Sequence, residues 1–287
     1  MKVKLDCIPC LLSQSLDALR FAQVEREGQI KVIKTVLSEL SQFDPNSSSM
    51  QLGQKVHRIV REEANLEDPY KEQKEKSNRQ ALQLYPRLKE RVEESDDPLN
   101  TAIRLAIAGN IIDFGPRGDY QLEETVDRCL QSDFGVDHYR KFKERLTAAG
   151  DVLYFADNAG EIVFDRILIE TLLEGWQLEK IYLVVKGGPF LNDATLADAR
   201  AAGLDKTDSV EFREATSGDP GTGPDYESRQ VISWIEESDL IVSKGQGNFE
   251  GLSELETTGL FFLLVAKCPA IGAEIGVETG QMVLLES

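Results

Sequence analysis

Three polar clusters, each following an apolar run, contain the residues best suited to chemistry. They are DNAGE at 157–161, NDAT at 192–195 and SKGQGNFE at 243–250. If the apolar runs are parallel strands, all three clusters emerge at one edge of a sheet, where open α/β folds bind ligands. The sequence therefore predicts a ligand crevice built from three chain segments.

Hard oxygen atoms in two of these clusters suit a divalent cation. Asp157, Asn158 and Asp193 offer three oxygen ligands and leave coordination positions open, as catalysis by Mg²⁺ or Mn²⁺ requires. In the third cluster, Lys244 lies beside a glycine-rich turn that begins at Gly245, and it could hold phosphate oxygens. The competing interpretation is that Asp157 and Asn158 only cap the helix that follows them.

Other nucleotide and hydrolase motifs fit the sequence less well. A dinucleotide fingerprint of the form G-x-G-x-x-G would begin at Gly245, but Glu250 occupies the place of its third glycine. There is no Walker A motif and no Gly-x-Ser-x-Gly elbow, which disfavours a P-loop NTPase and a serine hydrolase.

The two cysteines of the N-terminal CIPC sequence have the spacing of half a zinc site or of a redox pair. The residues that could complete such a site come from distant segments: Cys129, Cys268, His57 and His138. The sequence leaves this choice open, and we take Cys7, Cys10 and Cys268 as a candidate second metal or thiol site.

Two kinds of periodicity divide the chain near residue 150. Residues 1–150 have the spacing of amphipathic helices throughout, which predicts an all-helical N-terminal domain. In residues 151–287, apolar runs of strand length alternate with helical segments. This alternation predicts a Rossmann-like, three-layer α/β/α domain with a mainly parallel sheet, carrying the metal and phosphate site. The predicted strands are 152–156, 181–185, 210–212, 240–242, 260–266 and 282–285.

Charge and composition narrow the range of partners. The chain has 50 acidic and 32 basic residues, a formal net charge of −18, and no basic run, which argues against nucleic-acid binding. It has neither an apolar stretch of membrane-helix length nor a signal peptide, so we expect no membrane association. With four cysteines in 287 residues there is no secreted disulfide framework, and we expect a cytoplasmic protein.

Six sequence stretches together resemble one known family: CIPCLL at 7–12, DPYKEQKEKSN at 68–78, AIAGNIIDFG at 106–115, DNAGE at 157–161, NDAT at 192–195 and SKGQGNFE at 243–250. They occur in order over nearly the whole chain and resemble the damage-control phosphatases, most of all the prokaryotic subfamily. The family includes proteins described as protein-glutamate carboxyl methyltransferases. The resemblance implies a helical part packed on an α/β domain, and a metal-dependent phosphatase acting on sugar phosphates or other phosphometabolites.

The resemblance also implies roles for individual residues. Asp157, Asn158 and Asp193 would hold the metal. The residues that would face substrate are Glu161, Thr216, Ser217, Gly218, Lys244 and Asn248, and we add Gly245 beside the lysine. The Arg-Thr-x-Lys motif of the eukaryotic subfamily is absent.

We therefore expect a phosphatase that uses Mn²⁺, Co²⁺, Ni²⁺ or Mg²⁺ to hydrolyse the phosphate monoesters of small metabolites. Lys244 would neutralise charge on the phosphoryl oxygens, and either a water on the metal or the carboxylate of Asp157 would attack phosphorus. Two alternatives stay open: a methyltransferase using S-adenosylmethionine to methylate protein carboxylates, and a non-catalytic metal- or ligand-binding protein. The sequence does not indicate an oligomeric state.

Overall fold

A computed structural model describes residues 1–110, 119–216 and 224–287 of the protein, with side chains described throughout these ranges except at 119–123. Within them, the first half of the chain is mainly helical. Its helices are α1 Cys7–Phe21, α2 Arg26–Leu40, α3 Ser49–Ala64, α4 Lys71–Glu93, α5 Pro98–Gly109, α6 Asp119–Gln131 and α7 Tyr139–Ala148.

The second half supplies most of a seven-stranded sheet. The strands are β1 Phe134–Asp137, β2 Asp151–Phe155, β3 Lys180–Lys186, β4 Val210–Ala215, β5 Leu240–Lys244, β6 Leu260–Val265 and β7 Met282–Glu286. They lie in the order β1-β7-β6-β5-β2-β3-β4, and every pair is parallel except β6 with β7. The helices between them are α8 Glu161–Gly175, α9 Leu196–Ala201, α10 Arg229–Glu237, α11 Gly245–Leu252 and α12 Pro269–Ile275, with a short 3₁₀ helix at Leu204–Lys206.

The predicted α/β fold with a mainly parallel sheet is confirmed, and each of the six predicted strands overlaps an observed one. The three central strands β2, β5 and β6 are buried almost throughout because helices cover both faces of the sheet. One face packs against a core that includes residues of α4, α5 and α8, and the other packs against residues of α10, α11 and α12. A third apolar cluster joins α1, α2 and α3.

The expectation of helices throughout residues 1–150 is wrong at β1. Phe134–Asp137 pairs in parallel with β7 and forms an edge of the sheet. Its four residues alternate between half-buried and exposed side chains, which is too short a pattern to be recognised in sequence. The strand thus belongs to the sheet although it precedes residue 150, and the proposed domain division of 1–150 and 151–287 stays a prediction.

The C-terminal end of helix α5 packs closely against the beginning of helix α8. A Cβ atom added at Gly109 would lie 3.1 Å from the Phe164 side chain and 3.2 Å from that of Glu161. The small residues of α5 therefore let its C-terminal end approach the start of α8. Within the described ranges, no helix combines the length and the apolar character needed to cross a bilayer.

Candidate functional site

The strands β5, β2 and β3 are neighbours in the sheet, so their C-terminal ends bring the three polar clusters together. Backbone contacts join the first two clusters directly. Asn158 and Asp193 form an isolated antiparallel bridge, and the amide of Ala194 donates to the carbonyl oxygen of Asp157 at 2.7 Å. Asp157, Asn158 and Asp193 consequently line one cavity of about 340 Å³.

Two amide side chains hold the carboxylates of Asp157 and Glu161. The Nδ2 atom of Asn158 donates to Asp157 Oδ2 at 2.6 Å and to Glu161 Oε2 at 2.9 Å. The Nδ2 atom of Asn110 donates to the same two oxygens, at 2.9 and 2.7 Å. The available sequence signal for Asn110 is that it is a polar residue directly after the apolar and small residues at 105–109.

Burial makes ionisation of the two aspartates unfavourable. It raises the pKa of Asp157 to about 6, with the neighbouring Glu161 contributing, and the pKa of Asp193 to about 7, against the opposing effect of Lys186. Two carboxylates that repel each other in one cavity, together with the side-chain amide of Asn158, form a hard donor set that a divalent cation would stabilise. These residues therefore fit the metal expected from the sequence.

Gly245 makes room for Asp157. It has a φ of +75°, and a Cβ atom added there would lie 1.8 Å from Asp157 Oδ2. A residue with a side chain would be strained in this conformation and would displace the carboxylate. The close approach of Asp157 therefore requires glycine at position 245, which the sequence analysis predicted to bind substrate.

Lys244, which the sequence analysis expected to bind phosphate oxygens, is directed into the interior and is not among the residues that line the cavity. Its ammonium group is completely buried and donates to the carbonyl oxygen of Ala106 at 2.8 Å, to Glu161 Oε1 at 2.7 Å and to Asp165 Oδ1 at 2.6 Å. Since an ammonium group has three protons, all of its donors are used. Although burial raises carboxyl pKa values, Lys244 lowers that of Glu161 below its usual range. Glu161 therefore lies in the interior with Lys244, behind Asp157, and is itself fully buried.

Lys186 and Lys267 line the cavity, and the sequence analysis missed both. Lys186 is the buried one. Its Nζ atom donates to Asn248 Oδ1 at 2.7 Å and to the Tyr226 hydroxyl at 2.9 Å, and lies 3.6 Å from Asp193 Oδ2. Asn248 is fully buried; its Nδ2 atom donates to the carbonyl oxygens of Ala156 and Lys244 at 3.0 and 2.7 Å. Asn248 thus orients Lys186 within the interior. The signal that could have identified Lys186 is its place at the end of an apolar strand, like Lys244.

Comparison with known proteins identifies the family. The family described as "Damage-control phosphatase ARMT1-like domain" matches residues 3–283. The chain belongs to this family. A protein of Archaeoglobus fulgidus named "Damage-control phosphatase" is 35% identical over 288 residues, which cover 99% of this chain and 98% of the relative. "Damage-control phosphatase PH1575" of Pyrococcus horikoshii is 32% identical over 294 residues, which cover 100% of this chain and 99% of the relative.

A solved structure shows the same fold at similar sequence identity. The crystal structure of a DUF89 family protein from Pyrococcus horikoshii superimposes with a TM-score of 0.88 at 31% identity, covering 100% of this chain and 99% of the other. The family assignment and the fold therefore extend over both the helical and the α/β parts of this damage-control phosphatase family member.

The cysteines of this family member fall into two groups. Cys7, Cys10 and Cys268 line the same cavity as Asp157 and Asp193, whereas Cys129 is buried in the core next to α5 and α8. Burial raises the pKa of the Cys7 and Cys10 thiols. The structure thus brings together the three candidate thiols, and their role stays a prediction.

The two histidines have other contacts. His57 Nε2 lies 3.1 Å from Gln14 Oε1, and His138 Nδ1 accepts from the amide of Glu286 at 3.0 Å. In the described part of the chain, no group of three or more His, Cys, Asp and Glu residues is arranged to hold a metal ion. The Asp157, Asn158 and Asp193 set contains two such residues and an amide.

The predicted Thr216-Ser217-Gly218 turn is only partly described. Thr216 follows β4 and is exposed, and its Cβ atom would lie 2.7 Å from a Cβ atom added at Gly187, next to Lys186. Ser217 and Gly218 lie outside the described residues.

Proposed function

We propose that the protein is a metal-dependent phosphatase that hydrolyses phosphate monoesters of small metabolites, such as sugar phosphates or damaged phosphometabolites. One observation carries the proposal: Asp157, Asn158, Asp193 and Lys186 line a single cavity at the C-terminal edge of a parallel sheet. Membership in the family, and the names of the two archaeal relatives, support the same activity.

Asp157, Asn158 and Asp193 would hold a divalent cation, which when bound would neutralise charge on the phosphoryl oxygens and polarise phosphorus. Mn²⁺, Co²⁺, Ni²⁺ and Mg²⁺ are the candidates. The two amides that donate to Asp157 Oδ2 fix the orientation of this carboxylate. Preorganised groups of this kind stabilise charge that develops in the transition state without having to reorient.

Lys186 would bind the phosphoryl oxygens beside the cation. Its contacts with Asn248 and Tyr226 hold the ammonium group 3.6 Å from Asp193, near the proposed cation. Lys244 would act indirectly, since it compensates the charges of Glu161 and Asp165 and thereby supports the start of α8. The group that attacks phosphorus is either a water molecule or the carboxylate of Asp157.

A phosphatase assay with defined metals tests the proposal. Chelator-treated protein should not hydrolyse p-nitrophenyl phosphate or a hexose phosphate, and Mn²⁺, Co²⁺, Ni²⁺ or Mg²⁺ should restore activity. Asp157→Ala should lower the turnover by several orders of magnitude at saturating substrate and metal, whereas the exposed control Asp96→Ala should not change it.

Full activity in the metal-free protein would show that the reaction does not need the cation. If no metal gives phosphate release, the phosphatase assignment fails. Methyl transfer from S-adenosylmethionine to protein carboxylates, or metal binding without turnover, would then be the outcomes to measure.

A further inference from the structure

Asn110 has one side-chain atom that the architecture of the site does not use. Asn110 is 5% exposed, and its Oδ1 atom is buried with no hydrogen-bond partner among the described residues. An unsatisfied acceptor in a buried position costs free energy unless a ligand or water supplies a donor.

The identity of the free atom follows from the partners of the other one. The nitrogen of Asn110 donates to two carboxylate oxygens, Asp157 Oδ2 and Glu161 Oε2. If the amide were rotated by 180°, its oxygen would face both carboxylates and repel them, so the network assigns nitrogen to this side. The unused atom is therefore an acceptor, whose donor would come from a ligand or a water molecule.

The surroundings of Asn110 indicate which part of a substrate this would be. Asn110 lines a second cleft of about 580 Å³, which shares Asn158 and Asn192 with the cavity that contains Lys186. An anionic phosphate oxygen would be repelled by the free acceptor of Asn110, whereas the Lys186 ammonium group would attract it in the neighbouring cavity. The phosphoryl group thus belongs on the Lys186 side, and the alcohol part of the ester belongs in the cleft.

The remaining wall of the cleft is suited to an alcohol that carries hydroxyl groups. Half-buried Gln73 and Ser77 of α4 line it. The buried Lys74 also lines it, but its charge is paired with Asp68 at 2.7 Å. Neutral groups that both donate and accept hydrogen bonds predominate among these side chains, so the helical part of the protein offers contacts for an uncharged, hydroxylated group.

We propose that Asn110 is a substrate-binding residue whose Oδ1 atom accepts a hydrogen bond from a hydroxyl group of the leaving alcohol. The proposal rests on the proposed phosphatase function. Because Asn110 contacts Asp157, the hydroxyl group it recognises lies close to the ester bond. Asn110 would thus hold the carboxylates of Asp157 and Glu161 through its nitrogen and bind the substrate hydroxyl group through its oxygen.

A pair of alkyl phosphates tests this role in the metal-loaded protein. Glycerol 1-phosphate and n-propyl phosphate have the same carbon chain, but only the first carries hydroxyl groups. We expect the wild type to prefer glycerol 1-phosphate by about tenfold or more in kcat/KM, the effect of losing one hydrogen bond to a buried group. Asn110→Ala should bring this ratio close to one, in addition to lowering both rates through loss of the contacts with the two carboxylates.

Asn110→Asp provides the matched variant. It keeps an oxygen acceptor and loses the nitrogen donor, so both rates should fall while the preference for glycerol 1-phosphate persists. Arg79→Ala, on the exposed side of α4 with an ion pair of 3.9 Å to the exposed Glu75, should change neither rates nor ratio. Circular dichroism establishes that each variant is folded.

The outcomes separate the two proposals. Failure of the metal-loaded wild type to hydrolyse p-nitrophenyl phosphate would overturn the phosphatase function. If the wild type hydrolyses the aryl ester but treats the two alkyl phosphates alike, or if Asn110→Ala keeps the preference, the role of Asn110 is wrong. A wild type that lacks the preference overturns the role of Asn110 even if Asn110→Ala does not fold.

Discussion

Lys244 and Glu161 form an ion pair with 2.7 Å between Nζ and Oε1, in which neither side chain is exposed to solvent. Asp165 joins the same ammonium group at 2.6 Å. One buried cation thus compensates two carboxylates at the beginning of α8, directly behind Asp157. Lys244, the last residue of β5, therefore stabilises the part of the structure on which the site is built.

Lys244→Met should destabilise the protein strongly. The methionine has similar length but leaves Glu161 and Asp165 buried without a cation, a change that typically costs about 3 to 5 kcal/mol. Urea denaturation followed by circular dichroism measures the free energy of unfolding. Lys180→Met is the control, because the Lys180 partner Glu211 is exposed and a surface ion pair contributes little to stability. Equal stability losses in the two variants would contradict the role given to Lys244.

Lys186→Met should impair phosphate binding with a smaller effect on folding. Removal of a charge from the cavity should lower kcat/KM for aryl and hexose phosphates by about 30-fold or more, equivalent to about 2 kcal/mol, with an increase in KM. Steady-state kinetics of the metal-loaded enzyme measure this. Lys206→Met, in the short 3₁₀ helix away from the cavity, should behave as wild type. An unchanged KM in Lys186→Met would show that the phosphate binds elsewhere.

Gly245→Ala should remove activity by displacing Asp157. The added Cβ atom would meet Asp157 Oδ2 at 1.8 Å, and the backbone φ of +75° disfavours any side chain. Gly276→Ala is a matched control: Gly276 has a φ of +83°, but no atom lies within 4 Å of an added Cβ. Both variants should lose about 1 to 2 kcal/mol of stability from backbone strain, and only Gly245→Ala should also lose metal-dependent turnover. Normal turnover in Gly245→Ala would show that Asp157 tolerates displacement.

Replacement of both Cys7 and Cys10 by serine tests the thiol group of the cavity. If these residues hold a metal together with Cys268, the double variant should release bound metal and melt at a lower temperature, because binding to a folded site stabilises the fold. The metal preference of the phosphatase assay should not change. Elemental analysis without metal loss, together with an unchanged melting temperature, would assign the cysteines to ordinary packing.

Local sequence patterns were sufficient to predict the strands that form the site and the oxygen ligands at their ends. Unbroken apolar runs ending in polar residues identified β2, β3 and β5, because strands buried on both faces of a parallel sheet need apolar residues throughout. The position of DNAGE and NDAT at strand ends then placed Asp157, Asn158 and Asp193 at one edge. These inferences depend on local patterns, which short stretches of sequence contain.

Only the tertiary structure shows which of the two strand-end lysines, Lys186 or Lys244, lines the cavity. Lys186 and Lys244 both end apolar strands, but alternation along β3 directs Lys186 to the face covered by α10 and α11, while alternation along β5 directs Lys244 to the face covered by α5 and α8. Since both faces are apolar, the pattern of hydrophobic residues does not distinguish them. The place of Asn110 beside Asp157 likewise depends on a contact between residues 47 positions apart, which only the packing of α5 on α8 creates.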